Sequence, residues 1–422
     1  MIVFSANIVC RHRIAGLAEN AETCALIARG DRIDCNQKQQ KEMTKMLKKS
    51  CAALAVLSAV FAGAASAADV QVYGRVDTGL YLTKSDATGV RSLSMESGIA
   101  GASRFGFKGS ETLGNGVKVG FVLENGFSAD TGVMAGSKDS RLFDRDSYLY
   151  ANTPYGDFRF GRSGSLGGGV SGGLFAGTIS PFGVVYKEAA STKVFAVEGR
   201  LDNMVRYDTP SFGGLKLSAQ YSNGIDGDDA LNNSQKDRYA AVGATYTIGG
   251  LKLVGVVDKY LYNDRKYHKT DDKNGKKGIG NKTAYKLGLQ YKASEGVTLY
   301  GGYQHTDNAQ KIGLVTADAV KGADTDAFTV GTRIALGGGN LNLALGYVEG
   351  DKRDGSKLYE VKMWQAAIGY TYPLSKRTVL YTAAAYLDSD YTKDGAAVKG
   401  TKKDTTSATK VKSLMAGIYH SF

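Results

Sequence analysis

The sequence predicts an all-β protein, namely a 16-stranded antiparallel transmembrane β-barrel. Three observations favour this fold. Apolar and polar residues alternate over stretches of about ten residues along most of residues 68–422, which is typical of strands whose two faces meet different surroundings. Tight turns alternate with long polar connections. No apolar run in 68–422 reaches the ~18 residues that a transmembrane helix requires.

Residues 46–67 have the features of a secretory signal peptide. The basic pair Lys48 and Lys49 precedes an apolar run, and small residues at 65–67 fit an A-x-A cleavage site. We therefore expect export. Residues 1–45 stand where a signal peptide should already have begun, so a mis-assigned start codon is expected, with a genuine cytoplasmic extension as the alternative.

The exported part, residues 68–422, contains no cysteine, because all four cysteines of the chain precede residue 52. Disulfides and thiolate metal sites are therefore not expected, and the sequence suggests no cofactor and no metal. This part carries 44 basic and 36 acidic residues, a net charge of +8 with both signs interspersed. A nucleic-acid partner is not expected, since a dense basic stripe is missing.

The first strand, 69–82, shows the two-faced pattern most clearly. Val72 and Val76 belong to an apolar face, whereas Arg75 and Asp77 belong to a polar one. A soluble β-sandwich would place such an apolar face in its core, and an outer-membrane barrel would place it against lipid. The strands here are about 9–14 residues long, against about 5–6 in most sandwiches, and aromatic residues stand near their ends. Both features favour the barrel.

Sixteen strands are counted, an even number, as closure of the barrel requires, although one misread hairpin would give about 14 or 18. The predicted bounds are 69–82, 101–111, 116–129, 141–152, 157–163, 203–209, 215–224, 238–248, 251–262, 283–293, 297–307, 326–336, 340–350, 359–372, 377–389 and 412–422. A barrel of this size encloses an aqueous channel. The last strand ends in Phe422, which resembles the signal by which outer-membrane barrels are recognised for assembly.

Residues 161–183 form an unusual connection, because nine of the 23 are glycine and Arg162 carries the only charge. Such a segment needs conformational freedom and an apolar surface to pack against. We expect Phe175, Ile179 and Phe182 to anchor it to the barrel wall.

Two enzyme motifs occur within this segment. Residues 167–172 match the dinucleotide fingerprint G-x-G-x-x-G, but no helix can follow because of the glycines and Pro181. Residues 169–173 match the nucleophile elbow G-x-S-x-G, but nothing in the sequence brings His268, His305 or His420 to it. We interpret both matches as chance, and an outer-membrane hydrolase remains an alternative function.

An aspartate cluster, formed by Asp226, Asp228 and Asp229, could contribute to a loop calcium site. Its spacing fits no known calcium loop, so a solvated loop is the simpler interpretation.

Cationic residues alternate with apolar ones on several predicted strands. Charge on the lipid face would cost about 2–4 kcal/mol at the membrane midplane, so these cations are expected to face the lumen. They are Arg75, Arg104, Lys108, Arg145 and Arg206. For Arg145 the alternation groups it with Ser147 and Leu149, opposite Tyr148 and Tyr150.

Six segments resemble corresponding segments of the Gram-negative general porins of the neisserial and β-proteobacterial type, in the same order. They are VYGRVDTGLYL (72–82), SRFGFKGSETLGNGVKVGFVLENGF (103–127), YGDFRFGRS (155–163), NMVRYDTPSFGGLKLSAQYS (203–222), YPLSKRT (372–378) and GIYHSF (417–422). The resemblance implies a homotrimer of 16-stranded barrels. It also implies that the third long loop, at 164–202, folds inward to narrow the pore.

The resemblance further implies a basic wall at the narrowest section, with Arg104 and Arg206 on the matching motifs and Arg145 less directly matched; Arg75 is added from alternation alone. The constriction loop would contribute Gly164, Leu174, Phe175, Ile179, Pro181, Phe182, Gly183, Lys187 and Glu188. Many family members carry carboxylates on this loop. This chain departs from that pattern, since its first acidic residue after Gly161 is Glu188.

The predicted protein is a porin in the outer membrane of a Gram-negative bacterium. It would let small hydrophilic solutes and ions diffuse passively, and it would contact outer-membrane lipid. Because arginines would face a loop tip without charge, we expect a weak to moderate preference for anions. The alternatives are an outer-membrane barrel hydrolase of the phospholipase kind and a soluble secreted β-sheet binding protein.

Overall fold

Sixteen strand positions form a closed antiparallel wall, so the predicted fold class is confirmed. The computed structural model describes residues 70–86, 89–135, 141–225, 236–262, 280–309, 322–354, 357–394, 396–397 and 409–422. The predicted signal peptide at 46–67 and the extension at 1–45 lie outside these residues. In the described part of the chain, no helix is both long and apolar enough to cross a membrane.

The wall is built from strands in chain order, each hydrogen-bonded to its neighbours. Their bounds are β1 (Gln71–Ser85), β2 (Arg91–Ser97), β3 (Arg104–Gly114), β4 (Val117–Gly126), β5 (Asp146–Thr153), β6 (Gly156–Gly164), β7 (Arg200–Asp208), β8 (Leu215–Asn223), β9 (Arg238–Ile248), β10 (Leu251–Leu261), β11 (Lys282–Ser294), β12 (Val297–Ala309), β13 (Ala323–Leu336), β14 (Gly339–Asp354), β15 (Lys357–Pro373), β16 (Thr378–Lys393), β17 (Ala396–Ala397) and β18 (Thr409–Ser421).

Two of these segments do not add positions to the wall. Strands β2 and β3 both pair with β1, at different heights, and so form one wall strand that is interrupted at residues 98–103. Strand β17 has only two residues and pairs with the end of β16. The barrel closes where β1 pairs antiparallel with β18, from Arg75 opposite Ser421 to Ser85 opposite Val411.

The predicted alternation is visible as two faces of the wall. Large apolar side chains are exposed on the outward face, for example Val72 at 63%, Leu287 at 63% and Val330 at 60%. The inward face holds buried polar and small residues, among them Gln304 and Ala344. This pattern is the one expected when lipid surrounds the wall.

Short connections join strands at one end of the barrel. Strands β9 and β10, for example, are joined by Gly249 and Gly250, and the positive φ of Gly249, 53°, suits a two-residue hairpin turn. Long connections join strands at the other end, such as residues 262–281 between β10 and β11.

Predicted and observed strand bounds agree within a few residues, except around β2. No strand was predicted at 91–97, where the alternation is short and has only Leu93 and Met95 as apolar positions. Pairing with β1 stabilises this segment as a strand.

A candidate pore constriction

Asp77 of β1 holds residues 98–103, the interruption between β2 and β3, in place. This side chain is fully buried and accepts hydrogen bonds from the Tyr381 hydroxyl (2.7 Å) and the Ala100 backbone N–H (2.9 Å). The Asp77 backbone N–H donates to the Ser103 hydroxyl oxygen (3.0 Å). Asp77 therefore fixes residues 98–103 rather than facing the lumen as a free charge.

The connection between β6 and β7, residues 165–199, contains two short 3₁₀ turns, Lys187–Ala189 and Ser191–Lys193. We call residues 165–199 the β6–β7 loop. It lies against the inward face of strands β10 to β16 and against the interruption in the second wall strand, where the Tyr186 N–H donates to the Ile99 carbonyl (2.6 Å).

Apolar side chains of the loop fill depressions left by glycines on the inward face. Phe175, Ile179 and Phe182 are buried. A Cβ atom added to Gly302 would lie 2.8 Å from Ile179 Cδ1, and one added to Gly369 would lie 2.8 Å from Phe182 Cε1. An added Cβ atom would lie within 3.0 Å of an apolar loop side chain at the inward glycines Gly288, Gly302, Gly331, Gly346 and Gly369. The loop can therefore approach the wall more closely than alanine would allow.

Polar contacts hold the loop at several points along its length. The Gln365 amide donates to the carbonyls of Glu188 and Ala190 (2.5 and 3.0 Å). The Arg333 guanidinium donates to the Pro181 carbonyl (2.7 Å). These bonds satisfy backbone groups that would otherwise be buried without partners.

A buried ion pair between Lys286 and Asp258 lies beneath the first part of the loop, and both side chains are at most 2% exposed. The Tyr239 hydroxyl donates to Asp258 (3.2 Å) and accepts from the Gly167 N–H (3.2 Å). A Cβ atom at Gly167 would collide with the Asp258 carboxylate. Glycine is therefore needed at residue 167 for close packing. This packing accounts for the first glycine of the G-x-G-x-x-G match at 167–172.

Opposite these contacts, an open cavity of about 640 Å³ lies between the loop and strands β1 to β5. Five cations and two carboxylates are among its lining residues, a formal excess of three positive charges. The cations are Arg75, Arg104, Arg145, Lys187 and Arg200, and the carboxylates are Glu124 and Asp146.

The two carboxylates pair with three of the arginines. Glu124 contacts both Arg104 (3.2 Å) and Arg145 (2.6 Å). Asp146 accepts from Arg200 (3.3 Å). Glu124 was not among the predicted site residues, although alternation with the outward residues Phe121 and Leu123 places it on the inward face. The lining of this cavity therefore carries a net positive charge, and its two carboxylates hold three of the arginines in position.

Arg75 differs from the paired arginines. Its guanidinium lies 4.2 Å from the centre of the Tyr419 ring, and its Nε donates to the Ser421 hydroxyl (3.2 Å). Among the described residues, no carboxylate forms an ion pair with it. Arg75 is the cavity cation whose charge is least compensated by direct pairing.

Arg145 reaches the cavity for a reason other than the predicted one. Alternation grouped it with Leu149, but Leu149 is 64% exposed on the outward face, and Tyr148 faces inward over Arg159. Arg145 precedes β5, which begins at Asp146, so it lies outside the strand alternation. The predicted grouping of faces on this strand was wrong.

Arg206 and Lys108 lie on the inward face but do not line the cavity. Arg206 is 4% exposed, forms a bidentate ion pair with Asp208 (2.8 and 2.9 Å) and donates to the Gly172 carbonyl (2.8 Å). Lys108 is exposed near the short-turn end of β3, over the Tyr73 ring. The expectation that these two belong to the wall of the constriction is therefore not supported by the geometry.

Replacing Arg206 with glutamine should consequently weaken the protein without changing its ion preference. The change would leave Asp208 buried without its cation, and breaking such a pair costs about 3–5 kcal/mol. We expect a lower midpoint of urea unfolding and an unchanged reversal potential in single-channel recordings. A reversal potential that shifts as far as in Arg75→Gln would contradict this assignment.

The predicted loop residues occupy different environments. Lys187 lies at the cavity and pairs with Glu96 (2.9 Å), whereas Glu188 is buried and accepts from the Tyr81 hydroxyl (2.8 Å). Gly164 is buried at the end of β6, Leu174 packs partly buried near Gly243, and Gly183 has a φ of 57°. No carboxylate of the loop lines the cavity.

Ser171, the serine of the elbow-like motif, donates to Asp146 and accepts from Arg200 (3.1 Å). The described histidines are elsewhere: His305 contacts Asp326 (3.0 Å), and His420 contacts the Thr378 hydroxyl. His268 and the cluster Asp226, Asp228 and Asp229 lie outside the described residues. The described residues thus give Ser171 a structural role at the cavity.

Phe422 closes the wall beside β1. Its backbone exchanges hydrogen bonds with Gly74 (3.0 and 3.1 Å), and a Cβ atom at Gly74 would lie 2.4 Å from the Phe422 ring. The ring is 47% exposed on the outside of the barrel. An assembly signal would be accessible in this position.

Comparison with known proteins agrees with this architecture. The family model described as Gram-negative porin matches residues 52–392. An outer membrane porin protein of Bordetella pertussis is 30% identical over 81% of this chain and 94% of its own length. Outer membrane porin protein 32 of Delftia acidovorans is 30% identical over 89% of this chain and all of its own length. The solved structure of an anion-selective porin from Comamonas acidovorans is 22% identical, covers 84% of this chain and all of its own, and has a TM-score of 0.58.

Proposed function

The chain belongs to the Gram-negative porin family, and we propose that the charged cavity beside the β6–β7 loop is the constriction of its channel. As a porin it is a channel protein of the outer membrane, in which water and small solutes pass through the barrel interior. The loop corresponds to the segment that the sequence predicted to fold inward. Its contacts with the inward face of strands β10 to β16 support this position.

We further propose that the channel prefers anions. The observation that carries this proposal is the excess of three positive charges in the cavity, with Arg75 lacking an ion-pair partner among the described residues. A narrow section lined with cations favours anions over cations because it lowers their electrostatic energy there. The anion-selective porin from Comamonas acidovorans, whose structure this barrel resembles, is consistent with this direction.

We also propose a trimeric assembly and export by a signal peptide for this chain. Porins of this kind assemble as homotrimers, and we infer the same assembly here. The signal-peptide features at 46–67 support export to the outer membrane before the barrel forms. The passage of solutes requires no bond to be made or broken.

A single cysteine at the cavity would test whether it lies in the path of ions. The chain has no cysteine after residue 51, so Thr192→Cys would introduce a thiol at a lining residue without background labelling in 68–422. We expect a negatively charged methanethiosulfonate to produce a stepwise fall in single-channel conductance.

The matched control is Leu345→Cys on the outward face, where the side chain is 58% exposed. Modification there should leave conductance unchanged. If mass spectrometry shows complete modification of Thr192→Cys and conductance stays at its initial value, the cavity is not the constriction.

A further inference from the structure

The β6–β7 loop presents an apolar surface to the charged cavity. Val170, Val184 and Val185 line the cavity from the loop, and each of them is only partly buried. A Cβ atom added to Gly169 would collide with Val184 Cγ1, so the two stretches of loop that carry these valines are in contact. We call Val170, Val184 and Val185 the valine patch, and it shares the cavity with the cations of strands β1 to β5.

The charged and serine side chains that the loop brings to the cavity are engaged in bonds of their own. Ser171 donates to Asp146, and Lys187 pairs with Glu96 (2.9 Å). Apart from Thr192, the side chains that the loop offers to a passing solute are therefore apolar. A polar solute that displaces water from this side would lose hydrogen bonds, whereas an apolar group would lose none.

The other side of the cavity offers a fixed guanidinium. Arg75 lies between the Tyr419 ring, whose centre is 4.2 Å away, and Gly101, where an added Cβ atom would collide with the guanidinium. Its Nε donates to the Ser421 hydroxyl (3.2 Å), and among the described residues no carboxylate forms an ion pair with it. A guanidinium held in this way can donate two parallel hydrogen bonds to a carboxylate that arrives from the solvent.

We propose that the constriction favours organic monocarboxylates with an apolar body over equally charged polar anions. The carboxylate would contact Arg75, and the apolar body would lie on the valine patch. The cavity volume of about 640 Å³ is within the range of sites that enclose small organic molecules. This inference rests on the proposed function, because it requires that the cavity lies in the path of ions.

Block of the chloride current by hexanoate and by gluconate tests the inference. The two anions have the same chain length and the same charge at neutral pH, and gluconate differs by its hydroxyl groups. Each methylene that leaves water strengthens binding by about fourfold. If about two methylenes of hexanoate are buried on the valine patch, its half-blocking concentration in single-channel recordings should be at least about tenfold lower than that of gluconate.

A change of the valine patch should narrow this difference. Val170→Thr combined with Val185→Thr keeps the shape of both side chains and adds hydroxyl groups, so hexanoate block should weaken by about threefold or more while gluconate block stays nearly the same. Val122→Thr is the matched control, because Val122 lies on the inward face opposite Lys108 and outside the cavity lining. Val122→Thr should leave both half-blocking concentrations at the wild-type values.

Equal half-blocking concentrations of hexanoate and gluconate on the wild type would overturn the inference, and so would a folded double variant that is blocked as the wild type is. The reversal potential of the wild type in a KCl gradient separates this result from failure of the proposed function. A channel that prefers anions but does not distinguish the two blockers retains the proposed function and loses only the inference. Heat-modifiable mobility on a gel verifies that each variant is folded, and bilayers without protein measure any leak caused by hexanoate itself.

Discussion

Replacing Arg75, Arg104 and Arg145 together with glutamine should abolish the anion preference of the channel. The change removes three of the five cations at the cavity and leaves two cations facing two carboxylates. At 4 Å in water, one unit charge changes the energy of a passing ion by about 1 kcal/mol, so the chloride-to-potassium permeability ratio should fall roughly fivefold or more. The measurement is the reversal potential of single channels in a KCl gradient.

A charge-neutral change provides the matched control. Arg104→Gln combined with Glu124→Gln removes one cation and the carboxylate that it contacts at 3.2 Å, so the excess of positive charge at the cavity is unchanged. Its reversal potential should stay close to that of the wild type. If the triple variant folds poorly because Glu124 loses both partners, Arg75→Gln alone should shift the reversal potential in the same direction by a smaller amount.

The ion preference should also depend on salt concentration. The Debye length is about 10 Å at 0.1 M and about 3 Å at 1 M, so concentrated salt screens the arginines from ions in the channel. Selectivity should be largest in dilute KCl and should decline as the concentration rises. A preference that does not change with salt would argue for selection by pore width rather than by charge.

Replacing Lys286 with methionine should produce a large loss of stability. Lys286 and Asp258 are at most 2% exposed, and the change would leave a buried carboxylate with only the Tyr239 hydroxyl as a side-chain partner. Removing one partner of a buried ion pair costs about 3–5 kcal/mol. The free energy of unfolding, measured in urea by the loss of heat-modifiable mobility, should fall by about that amount.

The loop should respond to the same change. Tyr239 connects Asp258 to the Gly167 backbone, so a disturbed pair loosens the start of the β6–β7 loop, and open-channel current noise should increase. Asp258→Leu in the Lys286→Met background removes both charges and should restore most of the stability.

Lys216→Met is the control for the general effect of losing a lysine. It breaks the Lys216–Asp157 pair, whose lysine side chain is 38% exposed, and exposed pairs contribute about 0–1 kcal/mol. Equal destabilisation by Lys216→Met and Lys286→Met would show that the buried pair has no special role beneath the loop.

The wall was predictable from sequence because its signal is local. Alternation with period two identifies each long strand. Residues such as Val72 and Arg75 show that one face of a strand is apolar and the other polar. Strand β2 was not predicted, since its alternation is short, with only Leu93 and Met95 as apolar positions, and its pairing with β1 is a tertiary contact. The interruption at 98–103 depends on Asp77 and Tyr381, which are 304 residues apart in sequence.

The site was predictable only in part. Arg104 could be placed on the inward face by its phenylalanine neighbours, but alternation cannot show which partner a charged side chain contacts. Arg206 and Asp208 stand two residues apart on the same face, which is a sequence signal for their pairing. The inward glycines that receive Ile179 and Phe182 lie on strands far along the chain, so their role is visible only in three dimensions.

The most direct test of the proposed constriction is the reversal potential of the wild-type channel in a tenfold KCl gradient, with the concentrated side at about 0.1 M so that screening stays weak. With three excess positive charges at the cavity, we predict a shift toward the equilibrium potential of chloride. A shift toward the equilibrium potential of potassium would contradict the account.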